Sequence, residues 1–269
     1  MLRFSKILSL TALLCSLPLA ANEALETAVK NPLRTPEYIQ RDQYRNPVAT
    51  LAFFDVTPQS TVVEISPGGG WYTEIIAPLV AEKGMYYAAH FPANSSEYGQ
   101  RSRTAFIEKM ASQPQYSKVQ VTEFSAAGGV TIAPANSADV VLTFRNLHNW
   151  YIGGGEDALV AAYKQFFTAL KPGGVLGVVE HRLPESQLNT EWTRSGYMPQ
   201  SMAVRLAEQA GFVFEGSSEI NANAKDTANH PSGVWTLPPT LRLGEQDRAK
   251  YQAIGESDRM TLKFRKPLN

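Results

Sequence analysis

The sequence predicts an α/β chain: a doubly wound, mostly parallel sheet of seven strands, with an antiparallel terminal strand. Three observations carry this. Short β-branched runs alternate with stretches whose apolar residues recur at helical spacing, the pattern of strands joined by crossover helices. Right-handed crossovers of that kind put helices on both faces of the sheet. A glycine-rich turn, Ser66-Pro67-Gly68-Gly69-Gly70, stands between the first strand and its helix.

The elements follow in order. Arg3 and Lys6 precede an apolar run from Ile7 to Ala20, which is too short to span a bilayer comfortably and ends in small residues. Residues 1–21 therefore read as a cleavable secretory signal, with no basic stop-transfer flank behind it. The mature protein is expected to be periplasmic or secreted, with no stable membrane anchor after cleavage. Cys15 is the only cysteine and would leave with the signal, so no disulfide, cysteine nucleophile or thiolate metal site is expected. Residues 22–47 read as a polar, helical segment that leads into the main domain, 48–269.

Within that domain, 61–66, 85–91 and 118–124 read as strands, with helices at 71–82 and 101–111. Strands at 138–144 and 174–181 flank a helix at 156–170, and LKPGG, from Leu170 to Gly174, stops that helix in a turn. A helix at 201–210 leads to a strand at 211–220. The last strand, 259–265, follows the Pro/Asn-rich connection 221–258 without a crossover helix, so these two strands should form an antiparallel pair. The connection is either an ordered flap over the site or a loose surface loop.

Lysine plus arginine (25) balance aspartate plus glutamate (25) in 269 residues. No global field steers nucleic acid or an anionic membrane to the chain. A small-molecule partner is the expectation, with no nucleic acid.

Glu64, the Ser66–Gly70 turn, the strand at 138–144 and LKPGG before the fifth strand together resemble the class I S-adenosylmethionine-dependent methyltransferases. Longer stretches, among them LTFRNLHNW, LKPGGVLGVVEHR and SDRMTLKFRKP, look like a group of exported bacterial methyltransferases. The resemblance implies a Rossmann-like sheet and S-adenosyl-L-methionine as cofactor. It implies that Ser66, Pro67, Gly68, Gly69 and Gly70 pass under the methionine part, with Glu64 supporting the turn or the amino group. His90 stands nearest the place of the carboxylate that usually grips the ribose. Ser125 is a candidate partner for the adenine, with Glu123 beside it. Trp71 and Tyr72 could meet a sulfonium by cation–π contact.

FRNLHNWY, from Phe144 to Tyr151, is expected as a loop where the fourth strand ends. His148 is the candidate general base, because methyl transfer to a protonated acceptor needs a proton acceptor in reach. Asn146 and Asn149 are the positioning candidates, Asn146 on the cofactor side and Asn149 on the acceptor side. His181 ends the fifth strand on the same rim, beside Glu180 and Arg182. These histidines and carboxylates have no tight metal-ligand spacing, so no metal site is assigned. Arg41 and Arg45 are placed to fold over the cofactor from the N-terminal segment. No Gly-x-Ser-x-Gly elbow is present. The alternative to a methyltransferase is a non-methylating periplasmic binding module or enzyme built on the same fold.

Overall fold

The computed structural model describes residues 16–268. Most of the expected signal, residues 1–15, lies outside the described residues. Helix α1 (Ser16–Val29) runs across the expected boundary at Ala21, and its Leu25 and Ala28 are buried in a core shared with Leu51 and Ile76. Two single-turn helices, α2 (Pro36–Ile39) and α3 (Asp42–Arg45), and then α4 (Pro47–Phe53) follow. Arg34 pins α3 with a two-pronged ion pair to Asp42 at 2.8 and 2.9 Å.

The strands are β1 (Thr61–Ile65), β2 (Met85–His90), β3 (Gln120–Glu123), β4 (Ala138–Phe144), β5 (Leu170–Leu183), β6 (Met198–Pro199), β7 (Val213–Ser218) and β8 (Arg259–Arg265). The sheet order is β3-β2-β1-β4-β5-β8-β7, with the two-residue β6 pairing β5 off that path. The first five strands are parallel; β8 lies antiparallel between β5 and β7. The predicted seven strands thus form the main path, and β6 is an addition too short for any periodicity to announce.

Both faces of the central strands are covered, so they lack polar alternation. Val62, Val140 and Leu142 enter one core with Ile75 and Phe106, while Val63, Ile65 and Val141 enter the other with Leu159 and Phe166. Helices α5 (Thr73–Val80) and α6 (Glu97–Ala111) pack on the first core; α7 (Leu147–Ala169) and α8 (Gln200–Gln209) pack on the second.

One expected boundary is wrong in a way that matters. The 144–151 stretch is not a loop: α7 begins at Leu147, so His148 and Asn149 sit in its first turn. The Gly153–Gly155 run disguised this. Gly154 and Gly155 leave helical geometry (Gly155 has φ 65°), kinking α7 rather than starting it. The LKPGG turn likewise survives as a bulge, where the β4–β5 register slips between Ala138 and Val140.

The order of connection reverses between β1 and β4, and a cleft opens beyond the carboxyl ends of strands at such a switch point. Register then selects what lines it. Ile65 pairs with Thr143, Phe144 with Val179, and His181 with Arg259. The residues that follow β1 and β4, the end of β5 and the start of β8 therefore share one edge.

The connection 221–258 is ordered and carries the short helix α9 (Arg248–Ile254). Its anchor is Asp226, a buried carboxylate that accepts from Tyr197 Oη (3.0 Å), the Ala228 N–H (2.9 Å) and the Asp258 N–H (2.8 Å). His230 Nε2 lies 2.8 Å from the same carboxylate. Burial and then the Asp226 charge push the Tyr197 phenol well above its usual value. Asp226→Ala strands all four partners and should cost about 3–5 kcal/mol in urea unfolding. Amide exchange across 221–258 should accelerate with it; a loss under about 1 kcal/mol would show that the connection holds itself.

Candidate active site at the carboxyl edge of the sheet

A cavity of about 350 Å³ opens at that edge, near the small end of the roughly 300–1,000 Å³ usual for ligand pockets. Its lining includes the glycine turn, the β4–α7 junction, His181, the N-terminal Arg41 and Arg45, and Trp235, Pro238, Pro239 and Thr240 of the ordered connection.

The turn is built for close approach. Ser66 donates its N–H to Ala89 O at 2.8 Å and takes a left-handed φ of 52°. Gly68 has φ 59° with open space where a side chain would begin, whereas a Cβ on Gly69 would lie 2.5 Å from Tyr38 Oη. Pro67 and Gly68 thus face the cavity, and Tyr38 of the N-terminal segment closes over Gly69 by donating to its carbonyl at 3.0 Å. Gly70 turns into the helix instead of the cavity.

Glu64 lines the same space. Its Oε2 accepts from Thr73 Oγ1 at 3.2 Å and from Tyr86 Oη. Burial raises the carboxyl to about 7, against the lowering effect of those two hydrogen bonds. Burial thus brings this carboxyl close to the neutral range, where a nearby charged group can change its protonation.

The aromatic faces are taken by the protein itself. Arg45 sits 4.5 Å over the Trp71 ring, and Tyr72 stacks on Phe144 with centroids 3.6 Å apart.

Two sequence-predicted cofactor residues are elsewhere. His90 is fully buried, its Nδ1 accepting the Phe91 N–H at 2.8 Å and its Nε2 facing Gly68 O at 3.2 Å. Both ring nitrogens are satisfied internally, and burial lowers its pKa, so it braces the turn as a neutral ring instead of reaching a ribose. Ser125 is outside the cavity lining, its carbonyl accepting from Gln165 at 2.9 Å. Glu123 accepts the Ala93 N–H at 3.0 Å. Strand alternation could not reveal these internal uses.

The catalytic candidates do converge. His148 and His181 rings lie 5.2 Å apart. His148 Nδ1 is 2.9 Å from Glu180 Oε1, and Glu180 also accepts the His148 N–H at 3.3 Å and the His181 N–H at 2.7 Å. The Nδ1–H donated to that carboxylate leaves Nε2 as the proton-accepting nitrogen. Glu180 is the residue that sequence reading undervalued: 32 positions separate it from His148, and only the β4–β5 pairing unites them. Asn146 donates to Ile65 O at 3.1 Å and Thr143 Oγ1 at 3.2 Å, so it ties β4 to β1; Asn149 is exposed at the mouth.

His148, Glu180 and His181 also bring potential metal-ligand atoms within 4.8 Å of one another, although their spacing in sequence did not announce a site. The surroundings oppose a cation. Burial, and after it the positive surroundings that include Arg259, Arg145 and Arg45, hold His181 well below its usual pKa. His181 Nδ1 is already committed to Ser257 Oγ at 2.5 Å. A carboxylate–imidazole pair is the better description.

Among known proteins, no family model matches the sequence and no curated protein does. Solved structures do. A SAM-dependent methyltransferase from Aquifex aeolicus aligns over 91% of this chain and 97% of its own, at 15% identity and TM-score 0.57. The (4+2)-cyclase SpnF aligns over 93% and 94%, at 15% identity and TM-score 0.59. Geranyl diphosphate methyltransferase, solved in complex with SAM, aligns over 90% and 94%, at 11% identity and TM-score 0.54. At such identities the likeness establishes the fold: the chain has the Rossmann-like architecture of SAM-dependent methyltransferases.

The raised Glu64 has a measurable consequence. An acid whose folded pKa lies above its unfolded value stabilises the fold below the unfolded pKa, and that contribution is lost as pH rises through the folded one. The window here runs from the ordinary 4.5 to about 7. Glu64→Gln should match wild type in Tm near pH 4 and exceed it by several degrees at pH 8. Parallel Tm curves at all pH values would mean that Glu64 is not held neutral by its site.

Proposed function

We propose that the protein is an S-adenosylmethionine-dependent methyltransferase acting on a small acceptor outside the cytoplasm. The observation that carries this reading is the His148–Glu180 pair, which opens into the same cavity as the glycine turn.

The fit to the cofactor is good at its amino-acid end. Pro67, Gly68 and the Glu64 carboxyl would hold the amino-acid group, with the backbone of Gly68 free of any overlying side chain. The bound cofactor supplies a methyl group activated by its sulfonium. The chain's own contribution is alignment, exclusion of water and proton transfer. Trp235, Pro238 and Pro239 line the cavity from the ordered connection. His148 Nε2 takes the proton that the acceptor must release, and Glu180 balances the imidazolium that results.

The nucleoside end fits less well, since His90 is internally saturated and Ser125 lies outside the cavity. That observation favours a second reading, a non-methylating enzyme or binding module. The cyclase among the structural neighbours illustrates that the fold hosts other chemistry.

Calorimetry with S-adenosylmethionine and S-adenosylhomocysteine separates the two readings; saturable binding of both supports methyl transfer, and no binding of either refutes it. His148→Ala should then bind S-adenosylhomocysteine as wild type does while slowing turnover by about 10²–10⁴-fold. Glu180→Gln, acting through the imidazole, should lower kcat and leave KM unchanged. A His148→Ala enzyme with normal turnover would remove it as the base.

A further inference from the structure

Although the whole chain is neutral, its cavity is not. Arg41, Arg45, Arg145 and Arg259 all line it, from α3 and its N-cap, the end of β4 and the start of β8. The carboxylate that forms ion pairs with them is Glu256. It pairs with Arg41 at 2.5 Å, Arg45 at 3.5 Å and with Arg259. Burial would raise Glu256, but the Arg259 and Arg45 charges outweigh it and hold the carboxyl at about 2. One carboxylate cannot satisfy four guanidiniums, and the orphaned donors show it. Arg41 Nη2, Arg45 Nη1 and Arg259 Nε are buried without a hydrogen-bond partner, although Arg45 is 98% removed from solvent on its side chain. Arg145 makes no ion pair among the described residues, and its backbone is held at a φ of 61°. Burial, then the neighbouring Arg145 charge, depresses Arg45; burial, then Arg259, depresses Arg145.

Unpaired buried donors and mutually repelling charges are costly unless something completes them. The guanidinium fork is matched by a planar or tetrahedral oxyanion, which it binds by two parallel hydrogen bonds. We infer that the cavity holds an oxyanion of the acceptor, a carboxylate or phosphate group gripped by Arg145, Arg45 and Arg259 beside the His148 imidazole. The placement follows the register: Arg145 is three residues before His148, and Arg259 pairs with His181 across β5 and β8. Arg145 and Arg259 therefore stand at the imidazole end of the cavity, and Arg45, stacked over Trp71, reaches them from the side of the glycine turn. A sulfonium cofactor brought alone into this field would be repelled, so an anionic acceptor and the cofactor should strengthen each other's binding reciprocally. Calling this anion the acceptor's rests on the methyl-transfer reading; the anion site itself does not.

The test uses the full chain with inorganic phosphate and oxalate as probes and chloride at equal ionic strength as control. Wild type should gain several degrees in Tm with phosphate or oxalate and none with chloride. Whichever of the two oxyanions acts more strongly identifies the class. Arg145→Met removes an unpaired charge, so its Tm without anion should equal or exceed that of wild type. Its affinity for the oxyanion should fall about 10–100-fold. Arg145→Lys, which keeps the charge but loses the fork, should fall between them, and it carries the comparison should the methionine variant fail to fold. No stabilisation of wild type, or equal stabilisation of the variants, overturns the site. Competition between S-adenosylhomocysteine and the oxyanion would also overturn it, because the arginines would then serve the cofactor's own carboxylate. Oxyanion binding without any S-adenosylhomocysteine binding would leave the site standing and refute methyl transfer.

Discussion

Glu256 is the contact on which the cavity depends. It precedes β8 by three residues, yet pairs with Arg41 and Arg45 of the N-terminal segment as well as with Arg259. A single buried carboxylate thus ties the first helices to the last strand across the mouth of the cleft. Removing one member of such a set leaves the others charged and unpaired, which is far more costly than the set is stabilising. Because its pKa is depressed, its contribution is present above the ordinary carboxyl range and is lost as pH falls toward about 2.

That constraint organises the two ends of the site differently. At the glycine turn the protein offers backbone and a carboxyl of adjustable charge, with Tyr38 and the internally bonded His90 fixing the loop from either side. At the imidazole end it offers a surplus of guanidinium donors around a proton-accepting ring that Glu180 orients. The first arrangement suits a zwitterionic group, the second an anionic one whose proton must be removed. Trp71, the aromatic face offered to a sulfonium, is already covered by Arg45.

Much of this fold was legible because apolar patterning reports directly on burial. The alternation of β-branched runs with helical spacing marked all seven strands of the main path. The glycine turn and His148 carry local chemical signals in the sequence, and the fold brings both to one cavity. What escaped were relations across the sheet. Arg145 and Arg259 are far apart in the chain and meet only because β4, β5 and β8 stand in a particular register. Glu180 and His148 pair for the same reason. The start of α7 was missed because three consecutive glycines read as a breaker, while the fold uses two of them as a kink. Sequence could not show that both nitrogens of His90 are already engaged by Gly68 and Phe91.

The central claim is that charge closure by Glu256 holds the N-terminal segment over an anion-accepting cavity. Hydrogen exchange of Glu256→Gln across residues 36–46 tests it most directly. Faster exchange there than in wild type, slowed again by added phosphate or oxalate, is the result the account predicts. Unchanged exchange in 36–46, with or without the oxyanion, would contradict it.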